Sequence, residues 1–125
     1  QTGPEPIRTG IDNCYFCKMT ISDVRFGAEL VTKKGKVYKF DDVHCILSYL
    51  KTKDVEPENI KDIYLTDYCA THQLVNVHQS YLLKSEALKS PMAGNIAAFS
   101  NKDSLLKIQE HYPGTTVNWN QLKQQ

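Results

Sequence analysis

Nothing in the sequence is long and apolar enough to cross a membrane, and no stretch has the apolar centre of an export signal. Also missing are a glycine-rich phosphate loop, a serine, histidine and aspartate spacing for nucleophilic attack, and a base-reading pattern. An excess of one charge is absent too. Fifteen Lys and Arg stand against fourteen Asp and Glu, a formal +1, which argues against a nucleic-acid footprint and against a field built for acidic ligands. Methionine is scarce, and both copies fall in segments that stand out for other reasons.

What is present is enough apolar material, 41% of 125 residues, to bury a core in one body or in two small packed subdomains. Gln1 in place of Met is expected of a processed or truncated chain. Gln1 to Arg8 carries Gly3, Pro4 and Pro6 without apolar periodicity, so residues 1–13 read as a flexible leader.

Residues 26–32 and 36–40 read as two strands joined by Lys33-Lys34-Gly35, a hairpin. Asp41 or Asp42 then caps a helix whose Val43, Ile46, Leu47 and Leu50 form one stripe of a 3.6-residue period. Pro57 breaks its continuation and residues 60–66 return as a strand, so residues 14–72 make a ββαβ unit. Residues 73–125 repeat the plan more loosely, with strands at 80–83, 95–99 and 115–119. The helix between the last two opens on a Ser100-x-x-Asp103 capping box, turns Leu105, Ile108 and Tyr112 inward and stops at Pro113-Gly114. The expected fold is α+β: two sequential ββαβ-like units, each a small, mostly antiparallel sheet packed by one helix.

Sulfur marks the candidate site. Cys14-Tyr15-Phe16-Cys17-Lys18-Met19 has the spacing by which two thiolates converge on one ion from a tight turn. Met19 adds a thioether on the side of Cys17 if the backbone runs extended. Soft sulfur donors select Cu(I), although a Cys-x-x-Cys pair also forms disulfides. A thioredoxin-like role would need the motif to open a helix directly after a core strand, and no strand pattern precedes Asn13.

Met92 lies in a Ser90-Pro91-Met92-Ala93-Gly94 turn, where an unbranched thioether is either a donor or a filler of irregular core space. Cys45, in the first helical turn and pointing away from the apolar stripe, is either a further sulfur ligand or a small buried hydrophobe. Cys69-Ala70-Thr71-His72 offers a Cys3His zinc set with Cys14 and Cys17, though Cys69 reads more simply as structural. His44, His78 and His111 have no partner at a ligand spacing, and Asp41 and Asp42 read as a helix cap rather than an acid and base pair.

Taken in order, Cys14-x-x-Cys17-x-Met19-x-Ile21-x-Asp23, Gly35, Phe40-Asp41-Asp42-x-x-Cys45, Ser90-Pro91-Met92-Ala93-Gly94 and Ala98-Phe99 resemble the NosL family. These are copper-binding accessory lipoproteins of nitrous oxide reductase assembly, and the resemblance runs from Cys14 to Trp119. It implies an extracytoplasmic protein, in the periplasm or on the outer face of the cytoplasmic membrane, anchored through a lipid-modified cysteine that precedes the mature domain. Such a protein is not an enzyme. It holds Cu(I) and hands it to a maturing cuproenzyme, here expected to be nitrous oxide reductase. Cys17, Met19 and Met92 match the sulfur ligands that the resemblance implies, and Cys14 and Cys45 are the further candidates.

The first half also resembles treble-clef zinc modules, but Asp41 stands where the first cysteine of their second pair would be. Zn(II) on Cys14, Cys17, Cys45 and one oxygen or nitrogen is therefore the alternative ion site. An extracytoplasmic interaction domain with a Cys14 to Cys17 disulfide and packing methionines is the reading without metal.

Overall fold

Strand-forming residues on either side of a glycine turn give β1 (Ala28–Thr32), buried throughout, and β2 (Val37–Phe40), which alternates, as an antiparallel hairpin with Leu30 opposite Tyr38. Gly35 takes the left-handed φ of 90° that the turn needs, and Thr32 Oγ1 accepts from the Lys36 amide at 2.9 Å. The first strand starts later than the sequence pattern suggests. Asp23 accepts from the Arg25 amide and folds Val24–Phe26 into a 3-10 turn instead. The computed structural model from which this is read describes residues 3–69 and 71–124, so Gln1 and Thr2 of the expected leader, with Ala70 and Gln125, lie outside the described residues.

Helix α1 (Val43–Thr52) starts at Asp42, whose side chain accepts from the His44 amide, and ends at Lys53 in the left-handed region. Its buried residues are Val43, Cys45, Ile46 and Tyr49, while Leu47 and Leu50 are only half-buried at the flank. The inward arc is therefore rotated toward Cys45, which does not point away from the core as the apolar stripe implied. Tyr49 causes the rotation. Its ring packs on Phe40 with centroids 5.4 Å apart, and its hydroxyl reaches Asp54 Oδ2 at 2.7 Å, so an amphipathic side chain is buried without leaving a polar atom unpaired.

Strand β3 (Ile60–Thr66) pairs antiparallel with β1, and a short β4 (Leu74–Asn76) completes a four-stranded sheet of order β2-β1-β3-β4. Residues 5–12 lie along this sheet: Glu5 donates its amide to Glu29 Oε1 at 3.0 Å, and Lys39 Nζ reaches Pro6 O and Asp12 Oδ2, both at 3.0 Å.

The second unit is β5 (Tyr81–Lys84), β6 (Ile96–Phe99), α2 (Lys102–His111) and β7 (Thr115–Val117), its three-stranded antiparallel sheet ordered β6-β5-β7. The cap of α2 is Asn101, which accepts from the Ser104 amide at 2.8 Å. Ser100 is not the capping residue, because its hydroxyl donates to Asp67 Oδ2 at 2.7 Å. Trp119 does not end the last strand either. Asn118 and Gln121 form a capping box that opens α3 (Trp119–Lys123) and turns the indole into the core.

The α+β organisation of two sheet-and-helix units is thus as the sequence leads one to expect. The units are joined where the Tyr68 amide donates to Ala98 O at 2.7 Å, and by one apolar cluster that holds Leu30, Phe40 and Ile46 together with Leu82, Ile96 and Trp119. Among the described residues no helix is long and apolar enough to cross a membrane.

Candidate metal centre

Cys14 to Cys17 is a tight turn. The Cys17 amide donates to Cys14 Sγ at 3.4 Å and the Lys18 amide to Cys14 O at 3.0 Å. Lys18 then takes φ 70°, so the backbone bends between Cys17 and Met19 where an extended run was anticipated. The bend is closed by the Cys14 amide on Met19 O at 2.8 Å and by the Asn13 to Thr20 bridge. Tyr15 fastens the turn to the sheet. Its amide donates to Lys39 O at 2.8 Å, and its ring packs on Tyr38 and Tyr49 with centroids 4.5 and 5.4 Å away. Because Tyr49 belongs to α1, this packing sets the turn against the helix that carries Cys45.

The outcome is a three-sulfur group: Cys14, Cys17 and Cys45 present their Sγ atoms within 4.8 Å of one another. Three thiolates at metal to sulfur distances of about 2.3 Å lie about 3.8 Å apart, so a small closure brings all of them onto one ion. Cys14 and Cys45 are buried and Cys17 is half-buried, which makes Cys17 the outward edge of the group. All four cysteines are unbridged. Cys69 is not part of the group: it packs against the second apolar cluster with Phe26 and Phe99 and accompanies His72, whose Nδ1 contacts Asp67 O at 3.0 Å. The Cys69 and His72 zinc set is thereby excluded, since a favourable ligand spacing along the chain cannot offset two separate cores.

The electrostatics of the group are uneven. The Cys45 thiol donates to Cys14, and the amides of Cys17, Asp41 and Phe16 point at the same sulfur, so Cys14 is drawn down from 9.0 to about 5 despite its burial. Cys45 moves up because its proton is the one held in that bond, and burial moves Cys17 up. Of the three, Cys14 is therefore the sulfur that gives up its proton first. Beside it the Asp41 carboxyl is buried with Oδ1 unpartnered, and desolvation, followed by the Cys14 charge, lifts it to about 6. A soft donor set with a nearby orphaned oxygen suits a thiophilic cation.

Met19 closes the Cys14 turn through its carbonyl, and Met92 lies on a loop bound to Asp42 at the start of α1. Met19 is 61% and Met92 37% exposed, so neither acts as core filler. The Met92 loop is fixed by a contact that local sequence reasoning misses. Asp42 caps α1 with Oδ1, while its Oδ2 accepts from Ser90 Oγ at 2.7 Å, from the Met92 amide at 2.7 Å and from the Gly94 amide at 3.4 Å. Ser90 and Asn95 brace the loop internally, Asn95 N to Ser90 Oγ at 2.7 Å and Ser90 N to Asn95 Oδ1 at 3.0 Å. Lys89, Ala93 and Asn95 all have positive φ, at 57°, 62° and 57°, a conformation that non-glycine residues hold only under constraint. The available signal was a second aspartate at a helix start where one suffices as a cap.

The family model described as NosL matches residues 8–125. Among solved structures, the crystal structure of the copper chaperone NosL from Shewanella denitrificans superposes with a TM-score of 0.76 at 21% identity, covering 96% of this chain and 95% of that one. At that identity the likeness is one of fold. No curated protein sequence matches the chain.

Proposed function

Because the chain belongs to the NosL family, we propose that it is a metallochaperone that holds Cu(I) outside the cytoplasm and hands it to a cuproenzyme. The observation that carries this reading is the convergence of the Cys14, Cys17 and Cys45 sulfurs within 4.8 Å of one another. Support comes also from the relative of the same fold, which is described as a copper chaperone.

In this reading the Cys14 thiolate is the first donor, ready without loss of a proton near neutral pH. Cys17 joins it from the outward edge, Met19 and Met92 offer thioethers from the exposed side, and Cys45 closes the inner wall. Cu(I) accepts two or three soft donors, so an incoming thiolate, thioether or imidazole adds to the open side before the outward ligands leave. Tyr15, Phe16, Met19 and Met92 are among the few large apolar side chains left exposed, and they give an acceptor an apolar rim to seat on. The acceptor we infer is nitrous oxide reductase, reached from a lipid anchor that precedes this domain.

The test is an anaerobic titration of the reduced protein with Cu(I) and with Zn(II) against competing chelators, alongside Cys17→Ser and Met92→Leu. Tight one-to-one Cu(I) binding, weakened in both variants, is expected. Zn(II) binding that needs Cys14, Cys17 and Cys45 but ignores Met92 would instead make the domain a structural zinc module.

A further inference from the structure

The carboxylate of Asp42 is completely buried and receives four donors from two distant parts of the chain. A helix cap uses one oxygen, and Asn, Ser or Thr would serve that purpose as well. The second oxygen answers no donor of its own helix and serves only Ser90, Met92 and Gly94, some fifty residues away in sequence. Three donors converge on it, which an amide NH2 or a single hydroxyl cannot answer, so the loop and not the cap demands a carboxylate. The adjoining backbone ties the same stretch to the cysteines. The Asp41 amide points at the Cys14 sulfur, and Asp42 O accepts from the Cys45 amide at 2.9 Å.

We propose that Asp42 is the positioning residue for Met92, clasping the Ser90 to Gly94 loop onto the start of α1 so that the thioether is held beside the thiolate group before the ion arrives. The proposal rests on the Cu(I) reading above and adds to it a residue that touches no metal. Lys89, Ala93 and Asn95 all lie in the left-handed region, so the clasp works together with the internal Ser90 and Asn95 bonds to hold a strained loop in place. The clasp uses Oδ2 alone, so a partner that pulled the loop away would take Met92 with it while Oδ1 still caps the helix that carries Cys45.

The variant is Asp42→Asn, which keeps an acceptor for the His44 amide and the cap while turning an NH2 toward the loop donors. Cu(I) affinity should fall about 10- to 100-fold, as when an outer support of a metal ligand is removed. The same change made in a Met92→Leu background should cost nothing further. Unchanged affinity in Asp42→Asn overturns the proposal, and so does an equal loss in the Met92→Leu background, which would put the effect on the cysteines. If Asp42→Asn does not fold, Ser90→Ala, which removes one donor at the same oxygen, takes its place in the same cycle. Amide exchange at Met92 in the metal-free protein supplies an independent readout. It should be slow in the wild type and at least about tenfold faster in Asp42→Asn, an order of magnitude suited to loss of a charged hydrogen bond. Equal exchange rates overturn the clasp. If the wild type binds no Cu(I), the chaperone reading fails on its own, and the exchange experiment still decides whether Asp42 holds the loop.

Discussion

The Cys17 amide donates to Cys14 Sγ at 3.4 Å, so one member of the pair helps to hold the charge of the other. Cys14 is pulled down to about 5, whereas Cys17 and Cys45 are pushed above their ordinary 9.0. Thiolate absorbance in the ultraviolet, followed in the reduced, metal-free protein, should therefore show one ionisation with a midpoint at about pH 5. That step should vanish in Cys14→Ser and persist in Cys69→Ser. A protein without any thiolate at about pH 7 would show that the donors around Cys14 do not offset its burial.

The same asymmetry predicts how loading depends on pH. Cys14 already lacks its proton at neutral pH, while binding through Cys17 or Cys45 must expel one. Apparent Cu(I) affinity should thus rise from about pH 6 to about pH 8, and chelator competition across that range measures the slope. A flat profile would mean that neither of the two raised thiols ligates the ion.

Gly94 bears on the Met92 loop by a different route from the clasp. A Cβ at this position would meet Asp42 Oδ1 at 2.6 Å and the His44 backbone nitrogen at 2.9 Å, and the helix start cannot yield to it. Gly94→Ala should cost about 1–3 kcal/mol of stability, the usual result of overpacking. It should also weaken Cu(I) binding, because relief of the clash lifts the loop. Thermal unfolding and chelator competition on one sample check both, and wild-type values in both would show that the loop shifts freely.

Glu29 supplies a prediction away from the sulfurs. It is fully buried in β1, Oε2 has no partner, and desolvation raises its carboxyl from 4.5 to about 7. Between those values the folded protein keeps a proton that the unfolded chain has lost. The stability this group contributes is therefore complete below about 4.5 and disappears as pH rises through about 7. Glu29→Gln should match the wild type near the lower limit and exceed it at about pH 8, by on the order of 3 kcal/mol. Urea unfolding at the two pH values reads the gap, and a pH-independent gap would remove ionisation as its cause.

Much of the first unit was open to sequence reading because its signals are local. The hairpin of β1 and β2, the cap and stripe of α1 and the strand at Ile60–Thr66 each follow from periodicity or turn chemistry. The tight Cys14 to Cys17 turn was legible for the same reason, whereas the bend at Lys18 that carries the chain on to Met19 was not. β4 escapes notice since three half-exposed residues cannot display an alternation. Trp119 has the β-propensity of a strand residue, and the Asn118 and Gln121 pair that outweighs it was the overlooked signal. Cys45 looks outward only while Tyr49 is left out of the apolar face. The cap role of Asp42 is written in three adjacent residues, but the use of its other oxygen depends on a loop that folding alone brings near.

Cys14 and Cys45 share their apolar cluster with Leu82, Ile96, Ala98 and Trp119, so the inner wall of the thiolate group is also the seam between the two halves. The first half owns every cysteine of the group and the tyrosines that fasten its turn, but Leu82, Ile96, Ala98 and Trp119, from the second half, complete the apolar packing behind it. Whatever loosens that seam therefore bears on Cys14 and Cys45 as well, so the packing of the second half onto the first and the shape of the sulfur group are coupled.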